Sequence, residues 1–241
     1  MDIGEQAISA AAKAGIEAQL DEVDSVDVAL KTDPLKLTQG QLDEVVINGR
    51  GMVVQNDLRT EAMTLRAENV DISMTQLPLG KVELDQPASA EAKVVLNAED
   101  IQKAFASDFV KQKMRGQKVE LPNGDRVTTD ASNVTFSIPE DGRVAVSADV
   151  MLIEKVETHH VSFSGRPTLK DGGHKVSIED LQYQDEANDM PELTQSLVDS
   201  TEEMLDLRNF ELDNMELQFE SLEAKAGQLV IHAKARITSF S

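Results

Sequence analysis

Histidines are the first side chains to test for catalysis or metal binding, because imidazole titrates near neutral pH and ligates metals. The sequence has four of them, at positions 159, 160, 174 and 232. His159 and His160 are adjacent in a segment that alternates like a β-strand, and adjacent strand side chains point to opposite faces. They therefore cannot bind one metal ion together, and we expect all four to be ordinary strand or surface histidines.

Carboxylates are the next candidates, because paired acidic side chains can act as general acid and base or bind a cation. Three clusters stand at predicted turns or strand entries, and none has the alternating acidic spacing of a calcium loop. We interpret them as solvated turns and expect no metal site. The clusters are Asp21 with Glu22 and Asp24, Glu140 with Asp141, and Asp185 with Glu186 and Asp189.

Other catalytic and cofactor motifs are missing from the chain. There is no cysteine, which excludes disulfides, zinc–thiolate sites, iron–sulfur clusters and cysteine nucleophiles. No zinc-protease, nucleophile-elbow or phosphate-loop pattern occurs. Gly49-Arg50-Gly51 is only a fragment of a dinucleotide fingerprint and has no helix behind it. We therefore predict a protein that is not an enzyme and that has no cofactor and no catalytic residue.

Composition restricts the partners of the protein. The net charge is -21, which argues against nucleic acid, since binding to phosphates needs clustered Lys and Arg. Hydrophobic residues make up 40% of the chain, whereas aromatic ones make up 3%. A core or cavity must therefore be lined by aliphatic side chains and by the 9 methionines, whose flexible thioethers adapt to ligands of varied outline. This pattern favours an apolar container over an active site.

Periodicity predicts the elements that form such a container. Residues 3–20 read as a helix with an alanine-rich face, and short helices are expected at 98–114 and 191–206. Between them, apolar and polar residues alternate as in half-buried strands, most cleanly from Val144 to Leu152. The alternation changes phase near Glu68 and Asn69, which indicates a bulge or a tight turn. We predict an α+β fold with antiparallel strands, in a single domain over residues 1–241.

The N-terminus does not read as a signal peptide, because charged residues interrupt residues 1–20. No stretch approaches the about 18 apolar residues of a transmembrane helix. We therefore expect a cytoplasmic protein or one peripheral to a membrane. Removal of an N-terminal anchor segment would be equally compatible with this sequence.

Seven segments spread over the chain form a recognisable set: TDPLKLTQG (32–40), VVINGRGM (45–52), QNDLR (55–59), NVDI (69–72), GKVEL (80–84), VVLNAEDI (94–101) and LRNFEL (207–212). Together they resemble one bacterial family, the LmeA-like phospholipid-binding proteins. The similarity extends from about Gly4 to Phe240.

The resemblance implies a fold like that of the tubular lipid-binding proteins, in which a long helix packs in a strongly curved antiparallel sheet. It also implies that a phospholipid or related amphiphile binds between helix and sheet, as cargo of a carrier or signal of a sensor. Transient contact with a membrane follows from such a role. The family offers no shared catalytic residues to carry over.

These inferences predict a lipid site along the inner face of the sheet and under the alanine face of the first helix. The side chains expected to line it are Ala7, Ala10, Ala11 and Ala14 of the helix, and Met63, Leu65, Ile72, Met74, Val146, Val150 and Phe163 of the strands. The alternative is a non-catalytic structural or adaptor domain, with a packed interior and an acidic surface that docks a protein partner. Apolar space between helix and sheet would distinguish the two.

Overall fold

The computed structural model describes residues 3–55, 57–76, 83–121, 123–183, 190–204, 206–209 and 215–238. The chain divides into two compact units. The first comprises residues 1–95, 211–221 and 231–241, and the second comprises 96–210 and 222–230. The expectation of one domain over residues 1–241 stays a prediction beside these two units. The acidic cluster at 185, 186 and 189 lies outside the described residues.

The architecture is α+β with mostly antiparallel strands, as the alternating sequence predicts. One sheet is curled into a half-barrel, and a curved sheet is what the family resemblance implies. In the described ranges the helices are α1 (Ile3–Glu17), α2 (Pro34–Leu37), α3 (Ala98–Ala106), α4 (Asp108–Met114) and α5 (Pro191–Met204). The strands are β1 (Ser25–Lys31), β2 (Gln41–Val54), β3 (Leu58–Asp71), β4 (Ala88–Asn97), β5 (Gln117–Glu120), β6 (Arg126–Ser137), β7 (Val144–Leu152), β8 (Glu157–Lys170), β9 (Lys175–Tyr183), β10 (Met215–Lys225) and β11 (Gln228–Ile237).

The single long helix that the family resemblance implies is not confirmed, since α1 has 15 residues and α5 has 14. α1 ends at Glu17 because the following residues form a tight turn that leads the chain to the sheet. The amide of Gln19 donates to the carbonyl of Ile16 at 3.0 Å, and the amide of Asp21 donates to the carbonyl of Val53 at 2.9 Å. These bonds replace the next helical turn.

The first unit contains β1 to β3 and the larger parts of β4, β10 and β11, in a six-stranded sheet with the order β1-β2-β3-β4-β11-β10. The pairs from β1 to β4 are antiparallel and keep a continuous register. α1 packs on β1, and its first turn lies tightly against α2, because a Cβ added at Gly4 would come within 2.9 Å of Leu37 Cδ2. The short helix α2 was not predicted, since Pro34 reads as a break; Asp33 caps it by accepting a 2.8 Å bond from the amide of Leu35.

The expected change of phase in β3 lies at Asn69, which has a φ of 52°. Such a left-handed residue turns the following side chains to the other side, and asparagine tolerates it better than most residues. Val70 and Ile72 are accordingly buried in the core of the first unit. The β2–β3 register nevertheless continues past this point, with Leu42 opposite Val70.

The second unit is built on a five-stranded antiparallel sheet with the order β5-β6-β7-β8-β9. α5 packs on this sheet and contributes Leu193 to its core, together with Val119, Val150 and Leu152. α3 packs on β6, where the register shifts between Ser132 and Thr135. The side chain of Gln102 in α3 satisfies this irregular edge, donating to the Val134 carbonyl at 2.8 Å and accepting from the Phe136 amide.

Candidate functional site: half-covered apolar sheet faces

One face of the first sheet carries apolar side chains in rows across four strands. Directly opposite residues of paired strands point to the same face. The middle row, from β1 to β4, is therefore Val28, Ile47, Leu65 and Ala92. The flanking rows are Val26, Gly49, Met63 and Val94 on one side, and Leu30, Val45, Ala67 and Ala90 on the other.

α1 covers only part of this face. It packs on β1 and buries Val26, Val28 and Leu30 under its own Ile8. Further from β1, Ala67 and Ala90 are still buried. The other apolar side chains are half-buried, and of these Val45, Ile47 and Leu65 pack against the core while Met63, Ala92 and Val94 complete the set. The sheet therefore offers an aliphatic surface that the described residues do not fully cover.

Met52 closes one end of the rows. Gly51, with a φ of 58°, turns the chain so that the Met52 thioether lies over Gly49. A Cβ at position 49 would stand 2.3 Å from Met52 Sδ, so this packing requires glycine. Met52 itself is buried. The half-covered surface is thus bounded by α1 at the β1 edge and by Met52 at one end.

The opposite face of the same strands is mostly polar, although Ala29, Val46, Ala62 and Val95 also lie on it. Arg66 Nε lies 2.8 Å from Glu44 Oε1, and the Thr64 hydroxyl donates to Asn48 Oδ1 at 2.9 Å. The three rows of the inner face contain no ionisable residue. These three rows can therefore exclude water around an apolar ligand, but they carry no group for acid–base chemistry.

A second half-covered row lies on the sheet of the second unit. Phe136, Val146, Phe163 and Tyr183 stand opposite one another on β6, β7, β8 and β9. Phe136, Val146 and Phe163 are half-buried and Tyr183 is exposed. The ring of Phe105 in α3 lies 6.0 Å from that of Phe136, centroid to centroid, and extends this aromatic row.

The family model of LmeA-like phospholipid-binding proteins matches residues 2–234 of the chain. The chain belongs to this family. The match confirms the resemblance read from the sequence, and it supports lipid as the partner of this LmeA-like chain. No curated protein and no solved structure matches the chain significantly. Among the described residues of this LmeA-like chain, no helix has the length and apolar character needed to cross a membrane.

The strand residues that we predicted to line the site divide by burial. Met63, Leu65, Val146 and Phe163 are half-buried members of the open rows just described. Ile72 and Val150 are 2% and 1% exposed, and each is part of the hydrophobic core of its own unit. Met74 lies beyond the end of β3 and is exposed. Met63, Leu65 and Ile72 belong to the first unit, whereas Val146, Val150 and Phe163 belong to the second.

The predicted helix face is rotated relative to the face that packs. Ile8 is the buried residue of α1, and Ala12 and Ile16 pack beside it. Ala7, Ala10 and Ala14 are exposed and Ala11 is half-buried. The larger side chains determine which face packs because they bury more apolar area than alanine does.

The described histidines differ in their surroundings. His160 and His174 make polar contacts, whereas both ring nitrogens of His159 are buried without a hydrogen-bond partner. His160 Nδ1 lies 2.9 Å from Asp149 Oδ1, and His159, on the other face of β8, has Nε2 3.4 Å from Glu157 Oε2. The hydrogen bonds of Asn133 and His160 lower the pKa of Asp149. Within the described ranges, no group of three potential ligands could hold a metal ion.

Ala92, Val94, Val45 and Ile47 belong to the open rows but were not among our predicted site residues. Alternation had placed each on the apolar side of its own strand. What the sequence lacked was the register, which joins Leu65 to Ile47 on one side and to Ala92 on the other. Side chains become parts of one surface only through these cross-strand pairs.

Proposed function

We propose that the chain binds a phospholipid or a related amphiphile, as a carrier or a sensor, and lays an acyl chain along the half-covered rows of the first unit. The observation that carries this proposal is the set of half-buried aliphatic side chains around Leu65. Contact between aliphatic surface and water is unfavourable in free energy, and a ligand that covers the surface removes this contact. The family to which the chain belongs makes phospholipid the ligand class to expect.

Met63 and Leu65 are the residues on which we expect the acyl chain to lie. Burial of an acyl chain gains about 0.8 kcal/mol per methylene, so a few methylenes offset the cost of ordering the lipid. The aromatic row at Val146 and Phe163 is a second proposed contact surface for lipid. The other proposed lipid contacts are Ala7, Ala10, Ala11, Ala14 and Met74. We propose that Ile72 and Val150 contribute indirectly, by packing in the cores beneath the lipid-binding surfaces.

The proposal includes a fold like that of the tubular lipid-binding proteins, with a helix lying in a curved sheet, and a role without catalysis. The partial cover that α1 gives to the first sheet supports it. It also includes transient contact with a membrane and no nucleic-acid partner, the latter supported by the net charge of -21.

Native mass spectrometry of the purified protein tests the proposal. Protein stripped of lipid and reloaded with phosphatidylcholine should show an added mass equal to one or more lipid molecules. A protein that binds no phospholipid at any loading, and that instead retains a basic protein partner, would support the adaptor alternative and contradict the proposal.

A further inference from the structure

The hairpin between β7 and β8 presents an apolar tip. Met151, Ile153 and Val156 are 38%, 44% and 84% exposed. Exposed large apolar side chains are scattered elsewhere in the described part of the chain, but here three fall within six consecutive residues. Such a concentration at the end of a hairpin indicates a contact made outside the protein itself.

The backbone of the tip makes Val156 costly for the folded chain. Its φ is 55°, a left-handed conformation that suits glycine or asparagine and that a β-branched residue rarely adopts. The amide of Val156 closes the turn by donating to the Leu152 carbonyl at 2.8 Å, a bond that any residue except proline would make. Neither the turn nor the core therefore requires valine. Residues with a strained backbone conformation are often found at functional sites, where they contact a ligand or partner.

The charged groups of the tip are paired with neighbouring residues of the same unit. Both carboxylate oxygens of Glu154 bind Thr128 of β6, one accepting from its amide at 2.7 Å and the other from its hydroxyl at 2.6 Å. Lys155 Nζ lies 3.8 Å from Asp125 Oδ2. With Glu157 close by, the tip has no excess of positive charge to attract anionic lipid.

We propose that this tip, residues 151–156, is a membrane contact that inserts Met151, Ile153 and Val156 into the interface of a zwitterionic phospholipid bilayer. The inference rests on the proposed function, since it supplies the surface at which the protein would meet its lipid. It adds a site outside the lipid-binding rows. The tip contacts a bilayer because apolar side chains partition into lipid interfaces by the hydrophobic effect. The bilayer is neutral because the tip has no surplus of basic residues beside these side chains.

The test uses the full chain and large unilamellar vesicles of phosphatidylcholine in a sedimentation assay. Val156→Asn removes the apolar side chain and relieves the left-handed strain, so it should raise Tm and lower vesicle binding about tenfold. Leu35→Asn is the matched control, because Leu35 is also strongly exposed but lies in α2. It should leave vesicle binding unchanged, and adding phosphatidylglycerol to the vesicles should weaken binding by the wild type.

Three results would overturn the proposal. They are wild-type protein that does not sediment with vesicles, equal loss of binding in the two variants, and a Val156→Asn protein that binds vesicles normally but no longer self-associates. Uptake of dioctanoyl phosphatidylcholine as monomers, measured in parallel, separates this test from that of the proposed function. Monomer uptake without vesicle binding refutes only the tip, whereas tip-dependent vesicle binding without monomer uptake refutes only the lipid-binding rows.

Discussion

Two alanines of β4 offer a paired test of whether the first sheet has an open apolar surface. Ala90 and Ala92 point to the same face, opposite Ala67 and Leu65 of β3. Ala90 is buried and Ala92 is half-buried. Replacing each with leucine adds the same three carbon atoms to one strand at two neighbouring positions. The two substitutions should nevertheless have different effects, because only the Ala90 site is closed.

The magnitudes follow from burial. Ala90→Leu overpacks a filled core and should cost about 1–3 kcal/mol, which lowers Tm by about 2–12 °C. Ala92→Leu has room and should change stability by less than about 0.5 kcal/mol. Its side chain would displace about two acyl methylenes worth about 0.8 kcal/mol each, a loss of about 1.6 kcal/mol or roughly 15-fold in lipid affinity.

Thermal unfolding and native mass spectrometry with dioctanoyl phosphatidylcholine measure these two effects on the same samples. The expected outcome is a stable Ala92→Leu variant with weakened lipid binding. An Ala92→Leu variant that is as unstable as Ala90→Leu would mean that the rows are closed core. Unchanged lipid affinity in a stable Ala92→Leu variant would place the ligand elsewhere.

Further predictions concern the second unit and metals. Arg143 is buried and donates to Asp180 Oδ2 at 2.7 Å and to Ser164 Oγ at 3.3 Å, so Arg143→Ala should lower the free energy of unfolding by about 1.5–3 kcal/mol in a urea titration. Arg126→Ala, which breaks only the exposed pair with Glu120, should change it by less than about 0.5 kcal/mol; similar losses in both would refute the role of burial. The bonds from Arg208 lower the pKa of Asp206 to about 2, and Asp149, Glu154 and Asp180 also have lowered pKa values. Because the pKa of Asp206 is lower in the folded than in the unfolded chain, its ionised carboxylate stabilises the fold fully above about pH 4, and this stabilisation is lost as the pH falls towards 2. Asp206→Asn should therefore make Tm fall less between pH 4 and pH 2. A Tm that depends on pH as in the wild type would contradict this. Added magnesium, calcium or zinc should leave Tm unchanged, whereas a tight site would raise stability by about 3 kcal/mol at a hundred times its Kd.

Local periodicity predicted strands such as β4 and β7 well because one side of each is apolar and at least partly buried. The apolar set from Ala88 to Val94 in β4 and the alternation of β7 both follow from this asymmetry. The change of phase at Asn69 was also visible, because a left-handed residue moves the apolar positions by one. These features depend only on residues close together in the sequence.

The parts that could not be predicted depend on distant residues. β11 lies beside β4 although a large part of the chain separates them, and Gln228 donates to Asn97 Oδ1 at 3.1 Å at that junction. The packed face of α1 was misjudged because alanines outnumber Ile8 and Ile16, while the two isoleucines contribute more apolar area to the core. Which half-buried side chains form one surface depends on the cross-strand register, so Ala92 and Ile47 emerged only with the fold.

Photocrosslinking with a phosphatidylcholine that carries a diazirine on one acyl chain tests the central claim most directly. After irradiation and proteolysis, the lipid should be attached to inward-facing residues of β3 and β4, above all Met63, Leu65 and Val94. The Ala92→Leu variant should show less attachment at these sites. Lipid attached only to the polar face, at residues such as Thr64 or Lys93, or no attachment to either strand, would contradict the claim that the acyl chain lies on these rows.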